Sequence, residues 1–333
     1  MSQSSHRPGR LGVGVVSAGK VGAVLGAALR AAGHAVVGVH ASSPESRERA
    51  DALLPDVPVL DVPTIVERSE LVLLAVPDDQ LPALVSGLAA TGAWQPGQLV
   101  VHTAGRYGTD VLEPVRAAGA IGLAVHPAMT FTGLSVDLQR LVDCCFGVTA
   151  PAPVLPIAQA LVVEMGAEPV VVAEADRPLY HVALAHGSNH VMTLLGESMQ
   201  LLGEIGVEHP DRVLGPLVRA TVDNALASGE SALTGPVARG DVSTVAAHVA
   251  ALRELAGRDH RSAPTLSSQA VTGSPDDAAA PGPRPAAPEQ DMGEQLLSAY
   301  RALGRQTARR AAASGRLDGT TYRAVVAALE EGE

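Results

Sequence analysis

The chain has 333 residues, 47% of them hydrophobic, enough to bury a core in each of two domains of about 100–200 residues. Acidic residues outnumber basic ones 35 to 24, a formal net charge of −11, which excludes a whole-chain basic footprint for nucleic acid or an anionic membrane and leaves small molecules or proteins as partners. Aromatic residues make up 2%, too few for a surface that reads single-stranded bases by stacking, so alanine, valine and leucine must build the core.

Residues 1–10 are polar and read as a flexible N-terminus without the apolar core of a signal peptide. From residue 11 onward, short continuous apolar runs alternate with stretches of helical period, as strands buried on both faces of a parallel sheet require. Strands are predicted over 11–16, 35–40, 71–76, 99–103, 121–125, 144–149 and 169–172. The fold class that follows is α/β, a doubly wound and mostly parallel sheet over 11–175 whose ligand site lies at the carboxyl ends of the strands. Cys144 and Cys145, adjacent in one run, read as two small reduced core residues, and a disulfide framework or cysteine-based zinc site is excluded.

After residue 175 the strands stop. Residues 176–256 carry helical period punctuated by Gly206, Pro210, Gly229 and Gly235-Pro236, predicting an all-helical second domain. Residues 257–291, rich in Ser, Ala, Pro, Asp and Gly, have too little apolar surface to offset ordering entropy and read as a disordered insert. Over 292–333 the period returns, and Leu296, Leu297, Tyr300 and Leu303 form a stripe that suits either a core-facing helix or a homodimer interface. No apolar run reaches the about 20 residues of a membrane helix, so a cytoplasmic location is expected.

The chemistry begins where the first strand runs into Ser17-Ala18-Gly19-Lys20-Val21-Gly22 and a helix follows. Gly19 and Gly22 hold the second and third positions of GxGxxG, the dinucleotide turn; Ser17 stands at the first. Gly14 through Lys20 also nearly spells the phosphate loop of nucleoside triphosphatases, but the position that must ligate magnesium is Val21. Lys20 is the only lysine in the chain. At the tip of the second strand there is no acid to hold a ribose 2′-hydroxyl; Ser42, Ser43 and Arg47 offer hydroxyls and a guanidinium to a 2′-phosphate, favouring NADP over NAD, though a serine here equally suits a helix cap. Val76-Pro77-Asp78 and Thr103-Ala104-Gly105 follow the next two strands and should line the nicotinamide half of the site.

Taken with Leu74-Ala75-Val76-Pro77-Asp78-Asp79, His102-Thr103-Ala104-Gly105 and His126-Pro127, the glycine turn resembles the Rossmann-like oxidoreductases related to pyrroline-5-carboxylate and ketopantoate reductases. Leu179-Tyr180-His181, Ser188-Asn189-His190 and the string from Leu233 to Asp241 are similar to the uncharacterised helical C-terminal domain that accompanies them. The resemblance implies an NADP-dependent reductase that passes hydride to a small carbonyl or imine in the crevice between sheet edge and helical domain. In related hydroxyacid and ketopantoate reductases the first long helix bears a lysine and an asparagine one turn apart; here His186 and Asn189 share a helical face and are the candidate proton donor and orienting amide. His126, Thr234, Arg239 and Asp241 are candidate substrate contacts, although Arg239 and Asp241 suit pairing with each other as well. His186 and His190 stand at metal-ligand spacing but need a third ligand such as His126 or Glu197, and no metal is expected. The missing lysine and the lost first glycine leave a second reading, a non-catalytic NADP-binding or sensing protein.

Overall fold

The computed structural model describes residues 11–262 and 292–332. The expected flexible terminus, and the expected insert from residue 263 on, lie outside the described residues; residues 257–262 continue a helix, because a helix once nucleated propagates through polar residues that composition alone reads as loop.

The first part of the chain runs β1 (Gly12–Val16), α1 (Lys20–Ala31), β2 (Ala35–Val39), α2 (Pro44–Leu53), α3 (Val62–Arg68), β3 (Leu71–Leu74), α4 (Leu81–Ala90), β4 (Leu99–His102), α5 (Glu113–Ala117), β5 (Ile121–Pro127), α6 (Val136–Arg140), β6 (Cys145–Thr149), α7 (Leu155–Glu164) and β7 (Glu168–Val171). These strands form one seven-stranded sheet in the order β2-β1-β3-β4-β5-β6-β7, and β5 with β6 is its antiparallel pair. The chain leaves β1 to one side for β2 and returns on the other as β3, so the ends of β1 and β3 open the switch-point crevice in which such folds bind ligands.

Both faces of the sheet are covered along β1, β3, β4, β5 and β6, whereas the edge strand β7 leaves Val170 and Val171 exposed. Along β3, Leu71 and Leu73 join one cluster with Leu25, Val101 and Phe146, while Val72 and Leu74 join another with Ile65, Trp94 and Val100. This two-sided burial is why the strands read as unbroken apolar runs. Gly14 lies inside β1 under α3: a Cβ there would sit 2.2 Å from Ser69 Oγ, whose hydroxyl donates to Ile65 O at 2.6 Å. A glycine so placed cannot open a phosphate loop. Of the two cysteines only Cys144 is buried; Cys145, at the start of β6, is exposed, so the expectation of two core residues is corrected.

The helical part comprises α8 (Arg177–Glu204), α9 (Pro210–Ser228), α10 (Pro236–Arg239), α11 (Val242–Ser262), α12 (Met292–Ala313) and α13 (Gly319–Glu330). The chain divides into two compact units at Val191/Met192, inside α8, whereas the sequence suggested 175/176. The first turns of α8 stay with the sheet because Arg177, fully buried, donates Nε to Thr149 Oγ1 at 2.7 Å and Nη2 to Ala124 O and Gly147 O at 2.9 Å. The second unit has its own core around Val245, Val249, Leu297, Val325 and Leu329. In the α12 stripe Leu296 and Leu297 are buried and Leu303 is partly exposed. Among the described residues no helix is long and apolar enough to cross a membrane.

Gly14→Ala is expected to destabilise the sheet by about 1–3 kcal/mol, because the hydrogen-bonded Ser69 cannot give way. A urea midpoint equal to that of the parent chain would contradict this packing.

Candidate active site at the carboxyl ends of the strands

Each position of the glycine turn has a distinct physical task. Ser17 takes φ +80°, a left-handed conformation that glycine adopts without strain and serine does not. The following amide, Ala18 N–H, donates to His40 O at 2.8 Å and ties the turn to β2. Gly19 is the N-cap of α1, and no side chain caps the helix. A Cβ on Gly19 would meet only Ser17 Oγ, at 3.5 Å, so the space above it is open. Gly22 is the reverse case, with a Cβ falling 2.0 Å from Ser17 O and 2.9 Å from the Ala75 methyl. A strained turn, an open glycine over uncapped helix amides and a tight helix–sheet contact meet the three requirements of a pyrophosphate site. Lys20 is exposed and Val21 half-buried at its rim.

At the tip of β2, Ser43 caps α2: its Oγ accepts from Ser46 N at 3.2 Å while Ser46 Oγ accepts from Ser43 N at 3.0 Å. Ser42 and Arg47 are exposed. The arginine that touches the turn is Arg49, which donates Nε to Ala18 O at 3.2 Å. Gly133, at φ +82°, lies over it: a Cβ would be 2.9 Å from Arg49 Cδ and 3.0 Å from Lys20 Cγ. That loop is organised by the fully buried Asp137, which accepts from Thr132 N and Gly133 N at 2.8 Å and from Thr132 Oγ1 at 3.0 Å. Burial pushes the Asp137 carboxyl up, but these donors and Arg140 outweigh it and hold it below the usual range. No motif announced Arg49 or Asp137.

The next strand ends follow the sheet order. Asp78, after Val76 and the exposed Pro77, stands 3.9 Å from Arg106 Nε. His102 is fully buried; its Nδ1 accepts from Ala104 N at 3.2 Å and its Nε2 donates to Gly108 O at 2.8 Å, a pattern only the neutral ring can make. Burial lowers its pKa from 6.5 to about 4. Thr103 N–H donates to Leu74 O at 3.2 Å, and the buried Gly105 accepts two rings against its backbone: a Cβ would be 2.5 Å from His181 Cδ2 and 2.9 Å from His126 Nε2.

Those rings open onto a cavity of about 230 Å³ whose polar lining includes His126, Thr130, His181, Ser188 and Asn189, with no Asp, Glu, Lys or Arg among the described residues. His126 Nδ1 is 3.0 Å from Tyr180 Oη, and its ring meets His181 edge-on at 5.8 Å. Burial, then the neighbouring His181 and Arg177, bring His126 down to about 4, so it is neutral at pH 7. The helix presents His181, Ala185, Ser188 and Asn189, spaced by four, seven and eight residues, to the cavity. His186 lies outside this lining and meets His190 instead, Nδ1 to Nδ1 at 2.7 Å, both exposed. The structure therefore gathers Asn189 with His126 and His181, not with His186. The period of the helix held this signal, but only the sheet shows which face turns inward. Among the described residues no group of three or more potential metal ligands exists.

The remaining candidates belong to the second unit. Asp241 accepts from Thr244 N and Ser243 Oγ at 3.1 Å and from Thr244 Oγ1 at 2.7 Å, capping α11, and the Thr244 hydroxyl chiefly holds its carboxyl low. Arg239 reaches Thr234 Oγ1 at 3.4 Å. Thr234 lines a mostly apolar cavity of about 350 Å³ with His248 and Tyr300. That cavity is roomier and carries polar groups of its own, Glu197, His248 and Tyr300 among them.

Comparison with known proteins agrees with this architecture. Residues 1–127 match a Rossmann-like domain and residues 144–267 match a domain of unknown function, DUF2520. The two matches follow one another along the chain, the Rossmann-like one first. No curated protein matches it. Among solved structures, a Bacteroides fragilis protein provisionally assigned as an NADP oxidoreductase superposes with a TM-score of 0.61 at 20% identity, covering 74% of this chain and 92% of its own. An imine reductase from a Pseudomonas species gives 0.56 at 17% identity over 95% and 99%. The Plasmodium falciparum pyrroline carboxylate reductase, solved with NADP bound, gives 0.51 at 9% identity over 95% and 100%. At such identities the likeness is one of fold.

Ser17→Gly is expected to raise stability by roughly 0.5–1 kcal/mol, the left-handed strain less the entropy of an added glycine; a lower thermal midpoint would contradict the strain. For His102 the folded pKa of about 4 lies below the unfolded 6.5, so between them the unfolded chain binds more protons. Stability should fall by up to about 3 kcal/mol as pH drops through that window, with His126 adding the same sign. Urea midpoints measured across it should slope less in His102→Asn; an equal slope would contradict the assignment.

Proposed function

We propose that the chain is an NADP-dependent reductase acting on a small carbonyl or imine compound. The observation that carries this reading is the glycine turn, with an open Gly19 over uncapped amides and a tight Gly22, in the same sheet edge as the His126 cavity. From β1 to β5 the order β1-β3-β4-β5 spans three strand spacings, about 14 Å at roughly 4.8 Å each, so a dinucleotide anchored at Gly19 lays its nicotinamide half across Val76–Asp78 and Thr103–Gly105 toward His126. When bound, the nicotinamide supplies a hydride. The chain supplies the rest: Asn189 orients the acceptor, and a neutral imidazole at the cavity wall moves a proton. Preference for NADP rests on the absence of an acid at the β2 tip and on Arg47 and Arg49 beside it.

The second reading, a non-catalytic NADP-binding protein, is favoured by the lack of any lysine in α8 and by His186 lying outside the cavity. A homodimer through the helical part is also proposed, since Val213, Leu217 and Leu226 on α9 are all more than half exposed.

Calorimetry is expected to show NADPH bound more tightly than NADH. Gly19→Ala should fold like the parent and lose at least about tenfold in NADPH affinity, because a methyl there occupies ligand space only. Binding of neither dinucleotide, or an unchanged affinity in Gly19→Ala, would contradict the proposed site. If NADPH binds but no carbonyl or imine tried oxidises it, and Asn189→Ala and His126→Asn change nothing beyond stability, the non-catalytic reading gains. Leu217→Glu should convert a dimer to a monomer in light scattering; a monomeric parent would contradict the interface.

A further inference from the structure

Among the described residues Arg177 makes no ion pair. Its side chain is fully buried, its hydrogen-bond acceptors are a hydroxyl and two carbonyls, and Nη1 has no partner among the described residues. The nearest acid acting on it, Glu174, is committed to Thr109 N at 2.7 Å and Asp110 N at 3.2 Å. A buried guanidinium left so is costly unless negative charge develops beside it. The group beside it is Tyr180, whose ring centroid lies 5.7 Å from the guanidinium carbon and whose hydroxyl is 3.0 Å from His126 Nδ1.

Resting on the reductase reading above, we propose that His126 is the catalytic proton donor to an uncharged carbonyl substrate, with Tyr180 and Arg177 as the positioning residues that resupply its proton. A cation beside the phenol makes its O–H the better donor, so Tyr180 donates to Nδ1 and the neutral imidazole carries its proton on Nε2. For each hydride delivered to the carbonyl carbon, the C=O π pair passes to oxygen, and that oxygen takes the Nε2 proton. His126 Nδ1 takes the phenol proton, and the tyrosinate is held by Arg177 until Nδ1 returns that proton to it and solvent supplies one proton to Nε2, which restores the starting tautomer. The sum is one carbonyl, one hydride and one proton converted to one alcohol.

The substrate class follows from the lining. With no Lys or Arg among the described residues of the cavity wall a carboxylate finds no anchor there, and with no Asp or Glu among them an iminium or ammonium finds none. An iminium would also need no proton donor. The groups that face His126 are Tyr180, His181, Arg177 and His102; those that face Tyr180 are His126, Arg177, the Gly147 amide, Cys144 and Cys145. Burial raises Tyr180 above its usual value, with Arg177 opposing, so the phenol holds its proton at neutral pH.

The test is nitrogen-15 NMR of the full chain labelled at histidine, with His126 assigned by its loss in His126→Asn. At pH 7 His126 is expected as the neutral Nε2–H tautomer with Nδ1 hydrogen-bonded, and Tyr180→Phe, which keeps the ring against Gly147, should shift Nδ1 to the value of an unbonded ring nitrogen. In the NADPH-loaded protein, isobutyramide, a neutral and unreactive carbonyl compound, should move Nε2, whereas isobutyrate and isobutylamine should not. An Nδ1–H tautomer, an imidazolium at pH 7, or an unmoved Nδ1 in Tyr180→Phe would overturn the relay. Isobutyrate or isobutylamine moving Nε2, or isobutyramide leaving it unmoved, would overturn the substrate class. The tautomer is read without cofactor, so failure of NADPH binding sinks the reductase reading separately.

Discussion

Three hydrogen bonds from one buried guanidinium hold the candidate site together. Arg177 reaches Thr149, Ala124 and Gly147, all on the antiparallel pair β5 and β6, and so fixes where α8 begins. From that point helix geometry carries Tyr180 onto Gly147 and His181 onto Gly105, and delivers Ser188 and Asn189 two turns later to the same face. Both glycines are required by the rings they receive. Shorten Arg177 and the strand ends lose the wall that makes them a cavity.

The opposite end of the crevice depends on a different economy of space. Gly22 lets α1 settle against Ser17 O and Ala75, which aims uncapped amides outward, while Gly19 keeps the approach clear. Asp137 adds a loop over Lys20 and Arg49, so the turn is bordered by two cationic side chains in a protein that is acidic overall. The charge needed for a dinucleotide is thus local. Among the described residues the cavity wall carries no Asp, Glu, Lys or Arg, and Arg177 lies behind Tyr180, a setting in which a small displacement of a proton has a large electrostatic effect.

The strands were legible because a sheet covered on both faces demands continuous apolar runs, and the glycine turn because its spacing is set by backbone geometry. What could not be read was orientation. His186 and Asn189 share a face on a helical wheel, yet the face that meets Gly105 is centred on His181, Ala185 and Asn189. Arg177 gave no sign in sequence of being buried, since its partners are backbone carbonyls and one hydroxyl scattered over two strands. Ser43 caps α2, as a serine before Pro-Glu suits, and because the helix starts at that cap it is Arg49, two residues beyond Arg47, whose side chain reaches the turn. The division inside α8 was hidden for the same reason as Arg177: it depends on what a helix buries, not on how polar it is.

A crystal structure of the chain soaked with NADPH tests the central claim most directly. Pyrophosphate density over Gly19, with the nicotinamide ring beside Gly105 and within contact of the His126 cavity, is the predicted result. A turn closed over by the Ser17 side chain, or a nucleotide bound elsewhere on the molecule, would contradict it.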